Sequence, residues 1–403
     1  MSANRWDCDN GVVNKDDIEL LMTPEAVDVL RSLPPIESKA NVVQNVSALR
    51  KRGLSPEMTS VVLLQRRLRT KAAGKFGPFA EQMFFTEDGL QQATRLSVAA
   101  RHAARFRDAG CAHVADLGCG IGGDALALAG LGIRVTAVDR DDVTAAIATY
   151  NLAPFDKADV VHGEAESMDL SGFDALWFDP ARRSSSRRLS NPADWSPSLS
   201  WVFGQAAEKP SGIKLSPAIE QTVLPVDAEC QWIDDRGDTV ECVVWTGILA
   251  RPGIRRSALV LGDGESHELT ADEPDTNVPI GEIGAYLYDP CGAVLRAQLL
   301  GKLARELDAT LITDQIAYLS NDSGAETPFA QRFVVREILP LDQRTIAARM
   351  RELEIGTLEI KKRGVDIDPA EFRTKLKLSG KKSATLLLSR GSTGRIAILA
   401  DRV

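Results

Sequence analysis

The stretch Asp116-Leu117-Gly118-Cys119-Gly120-Ile121-Gly122-Gly123-Asp124 sits where an apolar run, Val114–Leu117, gives way to a helical one, Ala125–Leu131. Glycines at such a junction permit positive φ and let a ligand approach the backbone closely. The helix that follows offers unpaired N–H groups at its first turn. In dinucleotide enzymes a turn of this kind holds a pyrophosphate. Alone, the stretch therefore points to an α/β fold and a nucleoside-bearing cofactor, and a nicotinamide-binding domain or an unrelated α/β turn stays open.

Working outward, Arg134–Asp139 reads as a second strand with an acid at its end, about twenty residues past the turn. A carboxylate there can accept two hydrogen bonds from ribose hydroxyls. Val160-Val161-His162 reads as a third strand, followed by Gly163-Glu164-Ala165. Ala175–Phe178 is a buried strand ending at Asp179-Pro180-Ala181-Arg182-Arg183, and Gly212–Leu215 is another strand. Thr144–Tyr150 reads as a helix between two of them. Strands alternating with helices imply βαβ units and a mainly parallel sheet.

The D-x-G-x-G-x-G spacing, with the acid before the glycines, resembles motif I of the class I S-adenosylmethionine (SAM)-dependent methyltransferases. Gly163-Glu164-Ala165 is similar to that family's adenine-contacting segment, with Glu164 or Glu166 as the relevant acid. Asp179-Pro180-Ala181-Arg182 falls where the family carries motif IV, whose [D/N]-P-P-aromatic form occurs in many enzymes that methylate nitrogen. Here Ala181 replaces the second proline and Arg182 the aromatic residue. The resemblance implies a cofactor-binding set of Asp116, Gly118, Cys119, Gly120, Gly122, Asp139, Arg140, Glu164, Ala165 and Asp179. It implies Asp179, Pro180 and Arg182 as the catalytic set, with Asp179 orienting the acceptor. SAM already carries an activated methyl, so in-line alignment is the main catalytic requirement. Taken with Lys214-Leu-Ser-Pro217, Ile360-Lys-Lys-Arg-Gly364 and the lead-in Phe84-Phe-Thr86…Thr94, the chain resembles the bacterial class I methyltransferases with a C-terminal THUMP-like domain. The lead-in is also distantly similar to that of the cap-guanine-N2 methyltransferases. The likeness runs from about Phe84 to Leu399 and implies SAM dependence and RNA-related work.

The flanks complete the organisation. Thr23-Pro24-Glu25, Ser55-Pro56-Glu57 and Thr86-Glu87-Asp88 are helix starts, the last predicting one helix as far as Phe106. Cys230–Asp234 and Val240–Thr246 flank a turn and predict a hairpin, with Arg256–Leu261 a further strand. Acidic, turn-rich Gly262–Pro279 reads as a linker. Beyond it Ala293–Leu307 predicts one amphipathic helix; Leu341 and Asp368-Pro369 open others. Thr357–Lys361, Ala384–Ser389 and Arg395–Leu399 read as strands. The expected architecture is an N-terminal helical region (1–106), a Rossmann-like methyltransferase domain (107–263) and a small α+β THUMP-like domain (280–403).

The 403 residues carry a net charge of −8, which argues against whole-molecule attraction to nucleic acid. Regional charge differs: Lys361–Lys382 holds eight Lys/Arg against three acids, and Arg182–Arg188 and Arg50–Lys75 are also basic. Such patches contact phosphates without reading sequence, although a solvated face would look the same. Trp195 and Trp201 are candidates to stack on a base, with core packing favoured for Trp201. Six scattered cysteines form no C-x-x-C pair, and with four histidines a zinc site has no support. Cys119 fits as a small packing residue; His102, His113, His162 and His267 have no partner in sequence. With neither an apolar leader nor a run of about 18 apolar residues, a cytoplasmic location is expected. The leading expectation is RNA methylation at a base nitrogen. A small-molecule or protein methyltransferase, or a SAM-binding RNA protein without turnover, is the alternative.

Overall fold

The computed structural model describes residues 13–36, 38–180, 183–184, 187–188, 195–262, 264–314, 316–392 and 394–403. The chain divides into two units, Met1–Leu215 with Val244–Ala250, and Ser216–Val243 with Arg251–Val403.

The first unit begins with α1 (Lys15–Leu21), α2 (Pro24–Ser32), α3 (Lys39–Lys51) and α4 (Pro56–Phe76). Thr23 and Ser55 cap α2 and α4 with their side-chain oxygens, and Pro24 and Pro56 take the first helical position. Then come α5 (Glu87–Gln92) and α6 (Leu96–Asp108). The single helix expected over 86–106 is thus two. The Lys75 ammonium donates to the carbonyls of Leu90, Gln91 and Ala93 at 2.8–2.9 Å, which satisfies the end of α5 from outside and stops it.

After the helices the chain alternates: β1 (His113–Leu117), α7 (Gly123–Gly130), β2 (Arg134–Asp139), α8 (Asp142–Leu152), β3 (Ala158–His162) and β4 (Ala175–Phe178). A two-residue ladder, β5 (Arg183–Ser184) with β6 (Arg187–Arg188), precedes α9 (Leu199–Glu208) and β7 (Ser211–Leu215). The strands lie in the order β7-β4-β1-β2-β3, every pairing parallel. From β1 the chain winds one way to β3, and from β4 it winds the other way to β7. The loops after β1 and β4 therefore part, opening the crevice in which open α/β sheets bind ligands.

Next, β8 (Glu229–Asp235) and β9 (Asp238–Trp245), of which Val244 and Trp245 are counted with the first unit, are the expected hairpin, and in the second unit β10 (Arg256–Leu261) runs parallel to β8. The stretch read as a linker is in part a strand: β11 (Ser266–Ala271) returns antiparallel to β10. Its acidic Glu268 looked like linker chemistry, but its carboxylate accepts from Arg251, Gln231 and Ser257. The helix expected over 293–307 is also broken, into α10 (Gly292–Arg296) and α11 (Leu300–Glu306). Between them Gln298 adopts φ +59°, and its carbonyl accepts from the Asp275 N–H at 2.7 Å.

A seven-stranded sheet follows, from β12 (Tyr286–Pro290), β13 (Thr310–Leu311), β14 (Leu319–Asn321), β15 (Ala330–Pro340), β16 (Ile355–Lys362), β17 (Lys382–Gly391) and β18 (Gly394–Arg402). Its order is β13-β14-β12-β15-β18-β17-β16, and only β16 and β17 pair in parallel. α12 (Gln343–Glu352) and α13 (Pro369–Leu376) place Ile346, Met350, Phe372 and Leu376 with Leu386, Leu388 and Leu399 in one core cluster. Leu387 and Ile398, one residue out of phase, join Leu287, Tyr318 and Phe333 in a second. This is the two-residue alternation of strands buried on both faces. The eleven-residue β15 went unread because Arg332, Arg336 and Glu337 interrupt its apolar pattern. Each charge is met by a partner, Glu326, Asp401 and Arg349 respectively.

Candidate active site at the glycine turn

The turn after β1 is held on β2: the N–H groups of Gly118 and Cys119 both donate to the Val138 carbonyl, at 2.9 and 3.0 Å. Gly118 takes φ +92°, and a Cβ there would lie 2.7 Å from the Asp179 carbonyl oxygen. Glycine is thus required twice, by conformation and by the backbone of the β4 end packed against it. Gly120 differs. Its φ is +55°, yet a Cβ built on it meets nothing within 4 Å, so this face of the turn is open to a ligand. Gly122 caps α7 in the left-handed region, with φ +85°.

Asp139, at the end of β2, accepts from Gly120 N–H through Oδ2 and from Asp141 N–H through Oδ1, both at 3.0 Å. It therefore shapes the turn as well as facing it. An ionised carboxylate has about four acceptor positions, so capacity for ribose hydroxyls remains. Burial raises its pKa, opposed by those two N–H donors. Beside it, Gly163 N–H donates to Asp139 O at 3.0 Å, which brings exposed Glu164 and buried Ala165 next to the β2 end. Arg140 is exposed and donates to Ser196 Oγ at 2.9 Å. Cys119 is buried, and burial pushes its thiol well above the usual range, which fits packing rather than reactivity.

Asp116 is the unusual group. It is 1% exposed, and neither carboxylate oxygen has a hydrogen-bond partner. Burial, then the nearby Asp124 and Asp179, raise its pKa well above the carboxylate range, with only Lys214 opposing. A buried acid without a donor is costly. With Asp124, Asp139 and Asp179 close by, the set of carboxylates fits a sulfonium cofactor better than a phosphate.

Asp179 lies one residue beyond β4, and Lys214 of β7 donates to its Oδ2 at 2.6 Å. Pro180 is buried. Arg182, the third expected catalytic residue, lies outside the described residues, as do Met1–Asn10 and most of the 184–197 segment. Trp201, half-buried, packs edge-on against Phe178 with ring centroids 5.9 Å apart, and Trp195 is buried.

Several residues that position the site carried no motif. Asn151 of α8 is 3% exposed; its Nδ2 donates to the carbonyls of Phe84 and Ile121, and its Oδ1 accepts from Phe84 N–H at 2.7 Å. One side chain thus ties the helical lead-in to the glycine turn. On either side of Phe84, Arg69 Nε donates to Met83 O, and Gln65 both donates to and accepts from the Phe85 backbone. His102, partnerless by sequence, meets Asp124 at 2.9 Å, while Thr94 Oγ1 donates to the other Asp124 oxygen at 2.8 Å. These contacts outweigh burial and lower the Asp124 pKa. Only an interrupted polar residue in an apolar helix signalled any of them. The basic stretch 50–75 is largely spent internally: Arg66 pairs with Glu81, Arg67 and Lys71 with Glu87, and Arg69 is buried.

Among the described residues no group of three or more His, Cys, Asp or Glu could hold a metal, and no helix is long and apolar enough to cross a membrane.

Similar proteins carry the same architecture. A THUMP domain-like family model matches residues 330–402, and a domain of unknown function matches 14–72. A candidate methyltransferase of Porphyromonas gingivalis W83 superposes with a TM-score of 0.72 at 19% identity, covering 91% of this chain and 100% of that one. Uncharacterized S-adenosylmethionine-dependent methyltransferases of Mycobacterium tuberculosis strains CDC 1551 / Oshkosh and ATCC 25618 / H37Rv are each 35% identical over 357 residues, 85% of this chain and 95% of theirs. The parallel sheet with its open glycine turn and that identity along nearly the whole chain agree: this protein belongs to the S-adenosylmethionine-dependent methyltransferases, with SAM as its cofactor.

Proposed function

We propose that this methyltransferase acts on RNA in the cytoplasm, at a base nitrogen. The observation that carries the RNA assignment is the THUMP domain-like match over 330–402 in the same chain as the methyltransferase sheet. Charge gives it narrower support than composition implied. Of the eight cations in 361–382, Lys361 and Arg363 pair with Asp289, Lys375 with Glu371 and Lys382 with Glu354. Lys362, Arg373, Lys377 and Lys381 are exposed and remain for phosphates.

SAM supplies a methyl already activated on a sulfonium. In this reading the open face of Gly120 admits the cofactor, Gly118 and Gly122 set the path of the turn around it, and Asp116 meets its positive charge. Asp139 accepts from the ribose hydroxyls; Glu164 and Ala165 flank the adenine, with Arg140 at the rim. Asp179, followed by Pro180 and Arg182, orients the acceptor nitrogen so that its lone pair faces the methyl carbon.

The deciding experiment transfers labelled methyl from SAM into RNA, protein and metabolite fractions of a strain lacking the gene. Label in RNA, falling steeply with added salt, is expected. Label confined to protein or metabolites would overturn the RNA reading.

A further inference from the structure

The segment Ile360-Lys361-Lys362-Arg363-Gly364 closes β16, and its side chains divide by the alternation of a strand. Ile360 joins the core cluster built with α12 and α13. Lys361 and Arg363, one residue out of phase, both pair with Asp289, at 2.6 and 2.7 Å, and lie over the rings of Phe333 and Tyr318 in the other cluster. Lys362 keeps the phase of Ile360 and is exposed. That phase continues across the sheet. Lys362 is in register with Leu388 of β17, and Leu388 with Ala397 of β18, both in the core cluster. Two residues nearer the β17–β18 turn, Arg390 stands directly opposite Arg395, and both are exposed. Like charges at facing positions of an antiparallel ladder repel and lower stability. Among the described residues no carboxylate pairs with Lys362, Arg390 or Arg395 to relieve them. The Arg390 stem is nevertheless fixed, since its Nε donates to the Gly364 carbonyl at 2.8 Å. The acids that follow β15 and β16 at this end are mostly engaged. Leu341 N–H donates to the Arg395 carbonyl, and the next residue, Asp342, caps α12 by accepting from Thr345 N–H and Oγ1. Asp368 caps α13 by accepting from Glu371 N–H. Each carboxylate faces a helix N-terminus, whose backbone dipoles already answer its charge. Asp366, exposed in the loop before α13, is left against three cations.

We propose that Lys362, Arg390 and Arg395 form the edge of the C-terminal domain that grips the phosphate backbone of an RNA acceptor. This rests on the RNA reading, and it extends the grip from Lys362 to the β17–β18 hairpin, beyond the 361–382 run. A guanidinium presents its N–H fork to phosphate oxygens two at a time, and two forks side by side fit successive phosphates of one strand. Cations gathered on adjacent strands against their own repulsion are explained by an anion that neutralises them on binding.

The test uses the full chain and labelled bulk RNA from a strain lacking the gene, with filter binding followed over a range of salt. Arg390→Gln and Arg395→Gln should each weaken binding about tenfold and reduce the slope of log affinity against log salt by about 0.7 to 0.9, the share of one phosphate contact. Arg107→Gln, which removes an exposed arginine of α6 paired with Asp108, should leave affinity and slope unchanged. Calorimetric SAM affinity should be unchanged in all three. Arg395→Glu sets an acid opposite Arg390, so it should unfold at a higher urea concentration than wild type and bind RNA more weakly than either Gln variant. Wild-type affinity and slope in both Gln variants would overturn the proposal. So would a loss of stability in Arg395→Glu, because the arginine pair would then serve the fold. Phosphatidylglycerol vesicles are the comparison: binding to them that is lost in the Gln variants, with RNA binding retained, would assign the surface to a membrane and overturn the proposal too. Wild-type protein that binds no RNA at any salt would instead defeat the RNA reading itself.

Discussion

Replacing Asp116 by Asn should make the protein more stable and less able to bind its cofactor, and the pH dependence of the gain identifies its origin. In the free protein this carboxyl is buried without a donor, and burial with the neighbouring acids holds its pKa well above the usual value. Between the unfolded value near 3.9 and the raised folded one, the folded state binds more protons than the unfolded state. Stability therefore falls as pH rises through that window, by up to about 1.4 kcal/mol per pH unit for one carboxyl. Asn has no proton to lose. The stability difference between variant and wild type should grow by that increment per unit from about pH 4.5 upward and level off above the folded pKa. A buried amide brings its own cost, about 1–3 kcal/mol if its N–H groups find no acceptor, but that cost is independent of pH and drops out of the slope. Urea unfolding at pH 4.5, 5.5 and 6.5, followed by tryptophan fluorescence, measures the slope; calorimetry measures SAM binding. Parallel stability curves, or undiminished SAM affinity in the variant, would refute the view of Asp116 as an acid left uncompensated for a cationic ligand.

Other perturbations separate the remaining contacts. Asp139→Ala should weaken SAM binding by about 2–3 kcal/mol, roughly 30- to 150-fold, since hydrogen bonds to a charged group are lost; unchanged calorimetric affinity would remove Asp139 from the cofactor site. Gly118→Ala places a Cβ 2.7 Å from the Asp179 carbonyl at φ +92°, so a loss of at least about 1–3 kcal/mol in unfolding free energy is expected, with SAM binding lost alongside. Asn151→Ala leaves the Phe84 N–H and two carbonyls without their partner and should cost about 2–4 kcal/mol in urea unfolding. Lys75 has its pKa lowered from 10.5 to about 8. Above pH 8 the unfolded state then holds the extra proton, so this residue makes stability rise from about pH 8 to 10.5. Lys75→Met should abolish that rise, and a stability curve of unchanged shape would contradict the assignment.

The local decisions were legible in sequence because they depend on residues close together in it. Glycines at 118, 120 and 122 sit at positive φ, a backbone requirement that only their missing side chains meet cheaply. The caps at Thr23, Ser55, Thr86 and Asp368 each accept a hydrogen bond from three residues ahead, a spacing visible without a fold. The β-α alternation from His113 to Leu215 set the parallel sheet, and its acids at 139 and 179 came at strand ends by counting. What misled was charge and apolar pattern taken without neighbours. Glu268 looked like linker, and the arginines of β15 left that strand unread, until their partners supplied the opposite charge. The helix through 86–106 looked continuous until Lys75, eighteen residues before Ala93, took the carbonyls that would have extended α5.

The amino-acid sequence by itself determined a nucleoside-bearing cofactor and a mainly parallel sheet to carry it, since a glycine turn and strand-end acids are written in local spacing, and the resemblance to a known family narrowed that cofactor to SAM. Only the tertiary structure decided what those acids face. Asp116 is left without a donor, Asp139 is spent partly on the turn itself, and Asp179 is held by Lys214 from the neighbouring strand. Electrostatic environment is a property of distances through space, and chain separations of 35 to 67 residues collapse to hydrogen-bond length only when the sheet closes.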